Sequence, residues 1–201
     1  MRLHPERPAL RLLDQAAAAL RGGAFAVVAT DTTYAMVAAP ESHAALEAIR
    51  RLRRLERGHL WSLMCADLSQ ASRYVRMDNP AHRLLRRLLP GPYTFILPAT
   101  SMVPRRLFGK RRAIGVRIPR LPLCAGLLER MDGPLLATTM QFPDEEGPAC
   151  DPDRIDERIC GHDAILLDAG WGGSETTTVV DLCGDAPELI RAGCGEWPIA
   201  R

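Results

Sequence analysis

Residues 29–37 read Ala-Thr-Asp-Thr-Thr-Tyr-Ala-Met-Val, so three threonines, an aspartate and a tyrosine stand between two apolar runs. A hydroxyl both donates and accepts, so such a cluster can hold a carboxylate, a phosphate or a ribose. Threonine is also an ordinary strand residue, and alone this stretch reads equally as packing. Arginines supply the opposite charge. Arg50, Arg53, Arg54 and Arg57 fall along one side of a helical stretch, Arg117 closes an apolar run, and Arg191 stands near the C-terminal end. Lys110 is the only lysine, so cationic contacts to a ligand fall to planar, bidentate guanidinium groups. No spacing marks a nucleophile with its base among the five histidines, which speaks against covalent catalysis. The six cysteines show no Cys-x-x-Cys pair, and Cys160-Gly161-His162 is too little for zinc, so no metal ligands are expected. Gly170-Trp171-Gly172-Gly173 follows a strand-like run but leads to another strand; a dinucleotide loop needs a helix there.

The elements that must carry these groups follow from periodicity and punctuation. A helix is expected over 8–21 with Leu10, Leu13, Ala16, Ala17 and Leu20 on one face, ended by Gly22-Gly23. Strands over 25–29 and 33–38 flank the threonine turn. Ser42 should cap a helix burying Leu46, Ile49, Leu52 and Leu55, with the arginines on its other face and Glu47–Arg51 as a surface pair. Strands are expected over 61–66, 93–97, 113–118, 135–139, 164–167, 177–182 and 189–191, with a short edge strand over 2–4. Helices begin at Asp67 or Ser69, at Asn79 as cap with Pro80 following, at Pro122 and at Pro152 after Asp151. Residues 104–108 form a helical turn, 110–112 a basic loop, and 143–151 an acidic one. The alternation lacks a strict βαβ rhythm, so the sheet is expected to be mixed rather than purely parallel.

At 201 residues, 47% hydrophobic and 25% charged, the chain is read as one domain over 1–201 with a substantial core. A formal charge of +2 offers no strong field for gripping nucleic acid along a whole face. The polar N-terminus, the free thiols and the lack of a long apolar run give a cytoplasmic protein without membrane partners as the expectation.

Four further segments follow the threonine turn in order. They are Leu-Pro-Gly-Pro-Tyr-Thr-Phe-Ile-Leu at 89–97, Ile-Gly-Val-Arg-Ile-Pro at 114–119, Leu-Leu-Ala-Thr-Thr-Met-Gln-Phe at 135–142 and Thr-Thr-Val-Val-Asp-Leu at 177–182. Together they resemble the YrdC/Sua5 family, whose best-known members are threonylcarbamoyl-AMP synthases. Leu63-Met64-Cys65 and the segment 103–107 look most like its YciO branch. The resemblance runs from about residue 25 to 193. It implies an α+β (mixed α/β) fold: a single YrdC-like domain, a twisted, mostly mixed sheet flanked by helices, and an open concave site.

The activity so implied is that of a nucleotidyltransferase. L-threonine and bicarbonate form N-carboxythreonine, whose carboxylate attacks the α-phosphorus of ATP and releases pyrophosphate. The threonylcarbamoyl-adenylate then serves tRNA t6A modification. Such a displacement needs alignment, charge neutralisation and Mg²⁺. The alternative is a YciO-type paralogue that binds nucleotide or double-stranded RNA, or hydrolyses the adenylate, with little synthase activity. By resemblance, Thr30, Thr32, Thr33 and Tyr34 line the threonine and adenylate site, with Asp31 where the family usually has Glu. Arg117 pairs with the amino acid's carboxylate, and its loss is expected to spare the fold; Thr177 faces the same site. Thr32, Arg53 and Arg117 are the catalytic candidates. Arg53, Arg54, Arg57, Thr139, Gln141 and Arg191 are the nucleotide-binding ones. Two motifs depart from the synthases. Their Lys-x-Arg is here Arg53 and Leu55, with Arg54 or Arg57 as substitutes, and their Ser-x-Asn is Thr139-Met140-Gln141.

Overall fold

The computed structural model describes residues 1–56, 58–107 and 111–197. Arg57 and Lys110 therefore lie outside the described residues. Helix α1 (Leu10–Arg21) buries Leu13, Ala16, Ala17 and Leu20. Leu10, expected on that face, is 65% exposed, because it opens the helix before the buried stripe begins. Strands β1 (Phe25–Ala29) and β2 (Tyr34–Ala38) follow, buried throughout, and flank the threonine turn.

Ser42 Oγ accepts from the Ala45 amide and starts α2 (His43–Arg53), which buries Ala45, Leu46 and Ile49. Its end is set by Arg54, in the left-handed region at φ 49°. The expected Glu47–Arg51 pair is replaced by Glu47–Arg50, one residue closer, at 3.7 Å. Next come β3 (Ser62–Met64), α3 (Leu68–Tyr74) capped by Asp67, and α4 (Asn79–Leu88). The cap of α4 is Asp78, whose carboxylate accepts from Ala81; Asn79 is already helical. Strand β4 (Tyr93–Pro98) leads through a 3₁₀ turn at Arg105–Leu107 to β5 (Ala113–Arg117). The remaining elements are α5 (Pro122–Leu128), β6 (Leu135–Thr139), α6 (Pro152–Ile159), β7 (Ala164–Leu167), β8 (Thr178–Asp181) and β9 (Glu188–Arg191). The edge strand expected over 2–4 reduces to one bridge, Arg2 with Asp168.

The nine strands form one mixed sheet in the order β7-β1-β2-β6-β3-β5-β4-β8-β9. Three neighbouring pairs, β1–β7, β3–β5 and β4–β8, are parallel, and the others are antiparallel. Alternation along each strand divides the core in two. Phe25, Val27, Tyr34 and Met36 face a cluster that also takes Leu46 and Ile49 of α2, Ala71 of α3, Leu85 of α4 and Ile155 of α6. Ala26, Val28, Ala35 and Val37 face the other cluster, built with Leu13 and Leu20 of α1 and Leu123 and Leu127 of α5. Four helices thus cover one face. The two on the second face pack against β1, with α1 also reaching β7; their cluster takes Met64 from β3 and no described residue of β5, β4 or β8.

Candidate functional site

On that second face the strand pairings put small residues side by side. Ser62 stands opposite both Ala137 and Gly115, and Ala35 opposite Thr139. A Cβ at Gly115 would lie 2.6 Å from Ser62 Oγ and 3.0 Å from Thr94 Cγ2, so a side chain there would displace its neighbours. Above these residues lies a cavity of about 470 Å³, whose lining includes Ser62, Thr94 and Ala137 and, at its edges, Arg53, Arg117 and Arg191. Thr139, Gln141 and Thr177 line it too. The structure therefore brings six of the expected residues into one concavity.

Arg117 is 7% exposed. Its Nη2 donates to Thr30 Oγ1 at 2.7 Å, Thr32 Oγ1 at 2.7 Å and Asp31 Oδ1 at 2.9 Å. The threonine turn is thus a socket for this guanidinium. Thr30 Oγ1 also donates to the Thr33 carbonyl, which closes the turn. Thr30, Thr32 and Thr33, expected to contact a ligand directly, are not among the cavity-lining residues; Thr30 and Thr32 hold Arg117, which is. Arg117 Nη1 has no hydrogen-bond partner among the described residues, while Nε and Asp31 Oδ2 are buried without one.

Tyr34 corrects the sequence-based expectation more sharply. It points to the opposite face of β2 from Ala35, is fully buried, and does not line the cavity. Its hydroxyl donates to the Gly170 carbonyl at 2.6 Å and accepts from the Ala169 amide at 3.3 Å. Burial pushes its pKa up to about 12. The Gly-Trp-Gly-Gly segment packs beside it, and a Cβ at Gly173 would lie 1.9 Å from the Thr32 carbonyl oxygen. Gly173 thus serves close approach to the threonine turn, and Gly172 close approach to the Tyr34 ring. Tyr34→Phe should lower stability by about 0.5–1.5 kcal/mol through loss of the hydroxyl's hydrogen bonds to Gly170 and Ala169. Ligand affinity should hold. Denaturant melts and titrations of the same variant check this; lost affinity at unchanged stability would return Tyr34 to the site.

At the other rim, Arg53 donates from Nε to the Gln141 carbonyl at 3.1 Å, from Nη1 to Thr138 Oγ1 at 2.7 Å and from Nη2 to Gln141 Oε1 at 3.3 Å. Both departures from the synthase motifs therefore meet in one contact. Leu55 packs against the apolar cluster of the first face, so the place of the second motif cation does not open on the cavity. Arg54 is exposed and does not line it either; Arg57 is outside the described residues. Arg191 donates from Nε and Nη2 to the Thr177 carbonyl, and Thr177 Oγ1 pairs with Thr94 Oγ1 at 2.9 Å. Burial lowers the pKa of Arg53; burial and the charge of Arg117 lower that of Arg191.

Sequence reasoning missed Ser62, Thr94, Thr138 and His59. His59 lines the cavity, with Nε2 3.1 Å from Thr138 Oγ1 and its ring edge-on to Trp61. Burial first, and then Arg53 and Arg50, lower its pKa from 6.5 to about 4. Between pH 6.5 and 4 the unfolded chain holds a proton at His59 that the folded protein does not. Folding stability should therefore fall as pH drops through that window, with no contribution from His59 above it. Denaturant midpoints at pH 7 and 5 should show a larger loss in the wild type than in His59→Gln. Equal losses would mean that the imidazole titrates normally.

This fold and this arginine-edged concavity define a class. Residues 18–193 match the Sua5/YciO/YrdC family, described under telomere recombination, and the chain belongs to it. The uncharacterized protein YciO of Escherichia coli is 41% identical over 195 residues, covering 96% of this chain and 95% of the relative. The crystal structure of that protein superposes with a TM-score of 0.93 over 98% of this chain and 96% of its own. A threonylcarbamoyl-AMP synthase of Stenotrophomonas maltophilia is 31% identical over 173 residues, 84% of this chain and 91% of the relative. Sua5 of P. abyssi, crystallised with L-threonine, shares the fold at a TM-score of 0.85 and 23% identity, over 96% of this chain and 57% of that one. No helix among the described residues is long and apolar enough to cross a membrane.

Proposed function

We propose that the cavity binds L-threonine and an adenine nucleotide, and that the chain performs threonylcarbamoyl-AMP chemistry for tRNA modification. One observation carries the reading. Arg117 is locked in its socket by Nη2 while Nη1, on a residue that lines the cavity, has no partner among the described residues. A guanidinium held by one nitrogen and open at another is arranged to receive a carboxylate. Arg53 and Arg191, which also line the cavity, carry positive charge suited to a phosphate, which supports the nucleotide half of the reading. The L-threonine bound by Sua5 and the synthase activity in the name of the Stenotrophomonas relative support the same assignment.

Bicarbonate enters as the second small substrate, forming the N-carboxy group before attack on the α-phosphorus. The chain's own contribution is alignment and charge neutralisation by fixed donors. Among the described residues no group of three or more His, Cys, Asp or Glu side chains could hold a metal ion. Mg²⁺ would therefore arrive on the nucleotide's phosphates, its usual mode of binding, rather than in a protein-built cage. Incubation with ATP, L-threonine, bicarbonate and Mg²⁺ tests the reading: the mixed anhydride and pyrophosphate should appear together. Failure of both, with protein that still binds nucleotide, would leave the YciO-type alternative of binding or adenylate hydrolysis.

RNA is the remaining proposed partner, through exposed Arg54 and Arg105. Several other arginines of the basic segments are engaged: Arg111 with Asp181 at 2.6 Å, Arg106 with the Pro40 carbonyl, and Arg50 over Trp61. A steep fall of log affinity with log salt on tRNA would support phosphate contacts by these segments, and a flat one would speak against RNA as a partner.

A further inference from the structure

We infer that Arg154 and Arg158 of α6 clamp the turn at 142–145 and so hold Gln141, and through it Arg53, in place at the cavity. They are positioning residues for the site that act from the outside of the molecule. The inference goes beyond the reading above and rests on it only for what Arg53 would touch. Residues 143–151 carry four acids, Asp144, Glu145, Glu146 and Asp151, and no cation, so neutralising charge has to come from elsewhere. It comes from α6, where Arg154 and Arg158 stand four residues apart and therefore on one helix face. Arg158 donates from Nη2 and Nη1 to the two carboxylate oxygens of Asp144 at 2.7 and 3.1 Å, a bidentate pair. Arg154 Nη2 lies 2.8 Å from Glu145 Oε1. The Arg158 guanidinium also covers the ring of the buried Phe142, 4.2 Å from its centroid.

The clamped turn reaches the cavity through Gln141. The Glu145 amide donates to the Phe142 carbonyl at 3.2 Å, and the Ala149 amide to the Met140 carbonyl at 2.9 Å, which closes the loop at its base. Gln141 Nε2 faces the Glu145 carbonyl at 3.5 Å, and its Oε1 accepts from Arg53 Nη2. Arg53 also gives Nε to the Gln141 carbonyl and Nη1 to Thr138 Oγ1, the atom that faces His59. One chain of contacts therefore runs from Asp144, whose side chain is 59% exposed, to a guanidinium that lines the cavity. Releasing its outer end frees Arg53 to sample other rotamers, although no residue of α6 lines the cavity.

The test begins with the free protein, so that it depends on no ligand. Arg158→Gln removes both the carboxylate pair and the guanidinium over Phe142. The Arg53 Nε–H signal in a nitrogen–proton spectrum, assigned with Arg53→Lys, should shift and broaden. The His59 imidazole, held at about 4 by burial, Arg53 and Arg50, should titrate nearer its ordinary 6.5. Arg158→Lys should reverse part of both changes. Asp14→Asn, which breaks the Arg130–Asp14 pair on α1, should leave both signals as in the wild type. A folded Arg158→Gln protein with both signals unmoved would overturn the inference. Equal changes in Asp14→Asn would overturn it too, since they would report general loosening. Calorimetry with AMP then connects the clamp to the site: affinity should fall about two- to tenfold in Arg158→Gln, the cost of ordering one long side chain. Moved signals with unchanged AMP affinity would show that the clamp does not serve the site. If AMP binds neither protein at millimolar concentration, the nucleotide reading falls, and the two signals still decide whether the clamp holds Arg53.

Discussion

Arg117→Ala should abolish L-threonine binding and also lower folding stability by about 3–5 kcal/mol. The second half of that expectation comes from the structure. The side chains of Arg117 and Asp31 are only 8% and 14% exposed. Removing the guanidinium strands a buried carboxylate and leaves two threonine hydroxyls to find new partners. A strand arginine facing only a ligand can be lost without cost to the fold; one held in this socket cannot. Asp31→Asn added to Arg117→Ala should return part of the lost stability, because the uncompensated charge is gone, yet binding should not return. Chemical denaturation and calorimetry on the wild type and both variants separate the two roles. A single variant that binds L-threonine as the wild type does would end the carboxylate assignment.

The second large effect concerns rate. Adenylate formation from ATP should run about a hundredfold slower than in a relative whose Lys-x-Arg and Ser-x-Asn motifs are intact, since ~1 Å of misplacement costs that much in an in-line displacement. Arg53 presents a planar fork, and that fork is held by Gln141 and Thr138 rather than left to follow the phosphate. Arg53→Lys with Gln141→Asn should therefore raise pyrophosphate release well beyond any gain in ATP affinity. The two changes belong together, because Gln141 is the partner that Arg53 would lose. Leu55→Arg does not belong with them, since it would drive a charge into the apolar cluster. Stopped-turnover measurement of pyrophosphate decides the matter; a folded double variant with no gain would clear these positions of limiting the chemistry.

Much of this fold was legible in the sequence because its elements announce themselves. The buried stripe of α1, the Ser42 and Asp151 caps and the run of strands all follow local rules, while the start of α3 stays open between Asp67 and Ser69 until the structure gives Asp67. The mixed sheet was legible as well, from the missing βαβ rhythm. What local pattern could not supply was pairing. Ser62, Gly115 and Ala137 become neighbours only through β3, which joins β5 to β6 across a long stretch of sequence. His59 stands alone after a glycine, and no spacing ties it to Thr138. Tyr34 is the instructive miss. Period-two alternation alone sets it on the face opposite Ala35, yet its place in a motif drew it into the site. The threonines were identified as binding groups, but their partner is an arginine of this chain.

The most direct measurement is a crystal structure grown with L-threonine and a non-hydrolysable adenine nucleotide. The account predicts the amino acid's carboxylate on Arg117 and a phosphate between Arg53 and Arg191, within the concavity floored by Ser62, Thr94 and Ala137. A second cavity of about 490 Å³ is lined by Tyr74, Val103 and Met131; both ligands there, with the three arginines untouched, would contradict it.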